Sequence, residues 1–171
     1  TLDGNDTITV IGDLLGSDGN AAFVVDFGDG NNLLDASLNT DAGKAFIVTA
    51  GTGNDTLKGS AGEDNLNGAS GDDSIDGGAG NDSIQGGDGN DIINTQDGDD
   101  TADGGAGNDS ITGGLGNDSI SGGLDGDTLV GNEGDDTLRG GFGDDNLNGN
   151  SGNDSLDGSF GRDSISGGSG D

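Results

Sequence analysis

The chain has 171 residues, with 41 glycines, a formal charge of −30 and no Pro, Cys, Met, His, Trp or Tyr. Its cations are Lys44, Lys58, Arg139 and Arg162, a balance that excludes nucleic acid and anionic membranes as partners, because phosphate affinity rests on cationic neutralisation. Absence of His and Cys removes disulfide scaffolds, zinc sites, thiol nucleophiles and the usual catalytic triads, and no apolar run approaches the roughly 20 residues of membrane insertion.

Residues 1–49 are richer in apolar side chains and carry Phe23, Phe27 and Phe46. Two partial copies of a later repeat occur here: Asp3–Thr9 (DGNDTIT), with Asp6 at its sixth position, and Asp29–Asp35 (DGNNLLD), with Asn32 at the matching place. Val25, Leu34 and, after a five-residue insertion, Val48 align with the aliphatic position of that repeat. The segment reads as a degenerate solenoid with longer loops that caps the array or joins it to a preceding domain; a small separate β module is the alternative. The chain begins without Met and stops inside a repeat, as a piece of a longer polypeptide would, and no charged-then-apolar signal segment opens it.

Residues 50–171 form the second region. Units of nine follow one another from 50 to 166 without insertion or deletion, each close to Gly-Gly-x-Gly-x-Asp-x-(Leu/Ile)-x. The purest are Gly77–Gln85, Gly104–Thr112 and Gly113–Ser121, and a final unit, Gly167–Asp171, is cut short. The sixth position is always Asp, and the eighth is Leu or Ile except at Ala102. Composition alone would read as disorder, but a fixed period is the signature of a solenoid whose units bury apolar residues against their neighbours. The expected unit is a glycine turn over positions one to six and a short strand over positions seven to nine. Two units make an 18-residue coil, so the fold class is an all-β solenoid with one inward column of Leu57, Ile75, Ile93, Ile111, Leu129, Leu147 and Ile165, and another of Leu66, Ile84, Ala102, Ile120, Leu138 and Leu156.

The same period sets the acidic residues in two files. One holds Asp55, Asp73, Asp91, Asp109, Asp127, Asp145 and Asp163; the other holds Asp64, Asp82, Asp100, Asp118, Asp136 and Asp154. Strands stack about 4.8 Å apart, so each carboxylate repels its neighbours by roughly 3 kcal/mol at an effective dielectric of about 20. A cation between them removes that repulsion. Hard carboxylate and carbonyl oxygens, with no nitrogen or sulfur donors, select Ca²⁺ over the softer metals and over the geometrically stricter Mg²⁺. One ion between each adjacent pair gives about eleven internal sites.

These repeats resemble the RTX, or haemolysin-type, calcium-binding nonapeptide repeats, whose consensus GGxGxDxUx they match from residue 50 to 166. The resemblance implies a right-handed parallel β-roll in which the sixth-position Asp residues above, and Asp6, bind Ca²⁺ together with carbonyls of the glycine-rich turn. It also implies export by type I machinery and folding outside the cell, where calcium is plentiful. No enzymatic activity is expected, because His and Cys are absent and the regular carboxylates are committed to metal. The departures are local. In Gly122–Asp127 the third glycine comes one place late, which predicts a distorted site at Asp127 or a contribution from Asp125. Thr95 and Gln96 replace both leading glycines of the unit holding Ala102, which predicts a weak coil there. Typical members of such a family end in a non-repetitive capping and secretion segment, which residues 1–171 do not include.

On the surface, the third-position column ends in Leu124, Phe142 and Phe160, an apolar stripe suited to a contact with another chain or to covering its own turns. Lys58 beside Asp76 and Arg139 beside Asp157 read as minor cross-coil charge pairs. An ice-binding face is excluded by the irregular third position, because the string Gly51–Asp55 (GTGND) occurs once. The leading function is a structural module of an extracellular or cell-surface adhesin, surface layer or filament, with self-association or a surface partner. The alternative is the C-terminal folding and secretion region of an exported hydrolase or toxin.

Overall fold

A computed structural model describes residues 4–10, 22–40 and 43–170. Asp3, at the start of the first partial repeat, and Asp171, at the end of the truncated unit, lie outside the described residues. The irregular region contributes β1 (Thr7–Thr9), β2 (Phe23–Asp26), β3 (Leu33–Asp35) and β4 (Phe46–Thr52), and β5 (Thr56–Lys58) opens the regular array. From β6 (Asn65–Ser70) to β16 (Ser155–Phe160) a six-residue strand starts every nine residues, and β17 (Ser164–Ser166) closes the series.

Odd-numbered strands form one parallel sheet in sequence order and even-numbered strands form the other. Every pairing in the regular array joins residue i to i+18, as in Ile75↔Ile93 and Leu66↔Ile84. The fold is therefore an all-β parallel solenoid with two nonapeptides per turn. β1 to β4 extend the same two sheets, with Ile8↔Leu34, Val25↔Val48 and Leu34↔Leu57 continuing the aliphatic columns.

The strands are twice the expected length. Positions seven to nine run on through positions one to three of the next unit, as in Ser74–Ala79, so the two leading glycines lie inside the strand and the turn shrinks to Gly-x-Asp. Burial explains this. Along β11 (Ser110–Leu115) the inward residues are Ile111 at position eight and Gly113 at position one. One aliphatic column per sheet fills half of the interior, and the glycine column leaves room for the Asp side chains beside it. A positive φ at position two bends the six-residue strands apart from β11, and Ala69, Gln96, Asn132, Asn150 and Ser159 adopt it without being glycine.

In the first coils aromatic rings take over this space. Phe23 and Phe46 are register partners, stacked with centroids 5.5 Å apart, and Phe46 occupies the place that Asp64 takes one coil later. Phe27 is fully buried at a position-one site. Cross-coil charge pairing is sparser than the sequence suggests. Among the described residues the ion pair is Arg162 with Asp144, both exposed, while Lys58 and Arg139 are register neighbours of Asp76 and Asp157 without bonding them.

Candidate metal centre

Each turn delivers its sixth-position carboxylate to the inside of the roll. From Asp55 to Asp145 these residues are 1–3% exposed, and Asp154 and Asp163, towards the C-terminal end, are half-buried. The two oxygens have different tasks. Oδ1 accepts the backbone N–H of the equivalent Asp one coil earlier, at 2.7–3.1 Å, from Asp55→Asp73 through Asp145→Asp163. Oδ2 is buried and has no hydrogen-bond partner at Asp6, Asp55, Asp73, Asp82, Asp91, Asp100, Asp109, Asp118, Asp127, Asp136, Asp145 and Asp154. An unpartnered buried carboxylate oxygen is costly once. Its recurrence along both files, Asp64 and Asp163 excepted, is a donor set waiting for positive charge.

The glycine at position one shapes the space around Oδ2. A Cβ on Gly77 would lie 2.6 Å from Asp82 Oδ2 and 2.8 Å from the carbonyl oxygen of Thr95, and one on Gly86 would collide with Asp91 Oδ2 and stand 2.6 Å from the Gly104 carbonyl. The carboxylate thus shares a narrow cradle with a position-one carbonyl of the next coil. Among the described residues no three acidic or His/Cys side chains converge on one point, so an ion held here must draw much of its shell from backbone carbonyls. Carboxylate and carbonyl oxygens are the ligands of a hard divalent cation such as Ca²⁺.

Electrostatics agree. Burial pushes the carboxyls of Asp73, Asp82 and Asp127 up to about 7, and those of Asp109 and Asp118 up to about 6; the accepted N–H holds each down, and neighbouring carboxylates add to the rise. Asp55, Asp64, Asp91, Asp100 and Asp136 are raised by burial as well. A cation in the cradle supplies the compensation that would otherwise come from protons.

Two rungs solve the problem with protein atoms. Asn32 keeps the ladder, accepting the Asp6 N–H at Oδ1, while its Nδ2 donates to the carbonyls of Gly30 at 2.8 Å and Ala50 at 3.2 Å. An amide nitrogen there performs the bridging that a cation would. At Asp64, Oδ2 accepts the Ser60 N–H at 2.7 Å and the Ser60 hydroxyl at 3.1 Å, so this carboxylate differs from all its equivalents. The displaced glycine before Asp127 leaves the Asp ladder regular on both sides. Its effect falls on the backbone, where Asp125 takes φ +71° and the Gly107 N–H to Leu124 carbonyl bond stretches to 3.3 Å. Asp125 itself is exposed.

A second ladder was missed in the sequence. The fifth-position Asn or Asp accepts the N–H of its equivalent one coil later, as in Asn108→Asn90 at 3.0 Å and Asn117→Asp99 at 2.8 Å. It runs opposite to the Asp ladder and clamps the outer side of each turn. The signal was present, since the fifth position of the regular units is Asn or Asp except at Glu63, Gly126 and Arg162.

A family model described as the RTX calcium-binding nonapeptide repeat (four copies) matches residues 47–75, 67–102, 95–129, 121–156 and 149–171. No curated protein and no solved structure matches the chain. Matching repeats over most of the length, the two-unit coil and the buried Asp files together place this chain in the RTX calcium-binding nonapeptide-repeat family.

Proposed function

We propose that this RTX β-roll is a calcium-rigidified structural module of a secreted or cell-surface bacterial protein such as an adhesin, surface layer or filament, and that it has no catalytic role. The observation that carries the reading is the column of buried, unpartnered Oδ2 atoms. Metal-free, each coil brings like charges together in a dry interior; with Ca²⁺ bound through the sixth-position Asp residues, the same groups tie successive coils into a stiff rod. Outside the cell, where calcium is abundant, the chain folds; at low calcium the repulsion keeps it extended. Since Ser60 already satisfies Asp64, the cation column on that edge begins at Asp82.

Assembly through the even-numbered sheet is part of the same reading. Leu124, Phe142 and Phe160 are register neighbours at 49%, 56% and 65% exposure, and the two rings stack at 4.9 Å. Three large apolar side chains in line on an acidic surface suit self-association or a partner of the same character. The test is a calcium titration of metal-free protein, followed by far-UV circular dichroism and light scattering together. Cooperative gain of β signal with growing particles supports the assembling module. Folding without growth fits a monomeric spacer or secretion appendage, and no folding refutes the calcium reading.

A further inference from the structure

Position one of the regular units is glycine except at Ala50, in the first of them, and at Thr95. The surroundings of Gly77 show what the rule protects. A Cβ there would meet two groups of its own unit, Asp82 Oδ2 at 2.6 Å and Ile84 Cδ1 at 3.2 Å. Position one thus borders the cation cradle on one side and the position-eight core residue on the other.

In the unit that begins at Thr95 those two groups are Asp100 and Ala102. Ala102 is also the place where the position-eight column lacks its Leu or Ile, and both Thr95 and Ala102 are buried. The two departures compensate each other, because the larger side chain at position one takes up volume that the shorter one at position eight leaves. Gln96 holds the same coil, its Nε2 donating to Asp76 Oδ1 at 3.3 Å. The sequence expectation of a weak coil at Thr95, Gln96 and Ala102 is therefore reversed.

The exchange also changes the cradle. Burial raises the Asp100 carboxyl, while the Asp82 N–H and the Thr95 hydroxyl hold it down; Asp82 and Asp118, on either side in the file, have no hydroxyl acting on them. The Thr95 contact is looser than that of Ser60 with Asp64, whose oxygens meet at 3.1 Å. The carbon skeleton matters more than the hydroxyl. Thr95 brings to this rung the Cβ that glycine omits elsewhere, and at Gly86 such a Cβ would collide with Asp91 Oδ2.

We infer that Thr95 closes the Asp100 rung to divalent cations, so that the calcium column on this edge is interrupted in mid-array. The inference rests on the calcium reading above. Asp82 then lies between two metal-free rungs, Asp64 with Ser60 and Asp100 with Thr95, and the column resumes at Asp118. The Asp82 site keeps its backbone oxygen, since the Thr95 carbonyl still faces that cradle. Ala50 sets the same condition beside Asp55, at the first rung of the other file.

The test counts bound Ca²⁺ by equilibrium dialysis on the full chain and its variants, with circular dichroism at saturating calcium as the check on folding. Asp100→Asn should bind as many ions as the parent, whereas Asp118→Asn should bind one fewer. Thr95→Gly combined with Ala102→Ile rebuilds the common rung and should bind one ion more than the parent. Ala102→Ile alone should crowd Thr95 and lower the melting temperature, and adding Thr95→Gly should restore it. Loss of an ion in Asp100→Asn would show that the rung is open and overturn the inference, even if the Thr95 variants fail to fold. A folded double variant that gains no ion would overturn it as well. If Asp118→Asn keeps every ion, the sixth-position ligand reading itself fails, and the closed rung falls with it.

Discussion

Asp109→Asn is the substitution that best separates the charge of the Asp column from its hydrogen bonding. The amide retains an oxygen to accept the Asp91 N–H, now bonded at 2.8 Å, and puts an NH₂ where Oδ2 has no partner. Asn32 shows the result, with Nδ2 donating to two carbonyls and no cation needed. Neutralising Asp109 removes repulsion from Asp91 and Asp127, its neighbours about 4.8 Å away on either side, worth roughly 3 kcal/mol each at an effective dielectric of about 20. Against this stands the loss of one ion, which at a hundredfold excess over Kd stabilises the fold by about 2.7 kcal/mol. The relief exceeds the loss. Asp109→Asn should therefore bind one Ca²⁺ fewer and reach its folding midpoint at lower calcium than the parent, measured by dialysis and circular dichroism at pH 8. Asp109→Ala removes the same charge but leaves the Asp91 N–H without an acceptor, so it should be less stable than Asp109→Asn by about 1–3 kcal/mol. Unchanged stoichiometry in Asp109→Asn, or a midpoint moved to higher calcium, would refute both the ligand assignment and the reading of Asn32.

In chelator, the folded-state carboxyls of Asp73, Asp82 and Asp127 lie at about 7 and those of Asp109 and Asp118 at about 6, above the value of about 4 in the unfolded chain. Folded protein then binds more protons than unfolded protein, so metal-free β structure should be fully supported near pH 4 and lost as pH rises through 6 to 7, as circular dichroism against pH will show. Calcium-saturated protein should respond the other way, releasing ions on acidification because protons and Ca²⁺ compete for the same oxygens. Gly86→Ala drives a methyl into Asp91 Oδ2 and towards the Gly104 carbonyl; it should lose the ion at Asp91 and lower the melting temperature at fixed calcium, whereas Ser83→Ala on the solvent face should do neither. Replacing Phe142 and Phe160 by Ser should leave calcium-driven folding intact and abolish particle growth, and a parent chain that stays monomeric at every concentration would remove the basis for a contact there.

The coil, the two aliphatic columns and the two Asp files were legible because all depend on one invariant period, and an 18-residue register follows from any inward residue such as Ile75 or Ile93. Strand length was not, because Gly-Gly reads as a turn signal. Only the packed structure shows that Gly113 and its equivalents face inward, small because a carboxylate lies beside them. The fifth-position ladder was visible as an Asn/Asp preference but was eclipsed by the stricter Asp next to it. The exceptions were the hardest to read. Nothing in the letters Ser60 distinguishes a surface Ser from one that satisfies Asp64, and Thr95 looks like a defect until its hydroxyl is found buried beside Asp100.

One register column gathers these exceptions into a single rule. On the even edge it runs Phe23, Phe46, Asp64, Asp82 and onward: two stacked rings, then a carboxylate satisfied by Ser60, then carboxylates with an open oxygen. On the odd edge Asn32 bridges its carbonyls with its own amide before the file from Asp55 begins. The space beside the position-one residue must be filled, and an aromatic ring, an amide, a hydroxyl with a carboxylate, or a carboxylate with a cation each fill it. The first three need no metal and gather at the N-terminal coils, where Asp6 keeps an open Oδ2, while the last repeats through the array. Folding of the early coils thereby depends on calcium less than that of the array, and the metal-dependent coils have a formed sheet edge at β4 and β5 on which to add. Truncation to residue 50 should accordingly raise the calcium needed for folding without changing the ions bound per remaining coil, whereas loss of bound ions in proportion to the missing coils would show that the early coils bind metal like the rest.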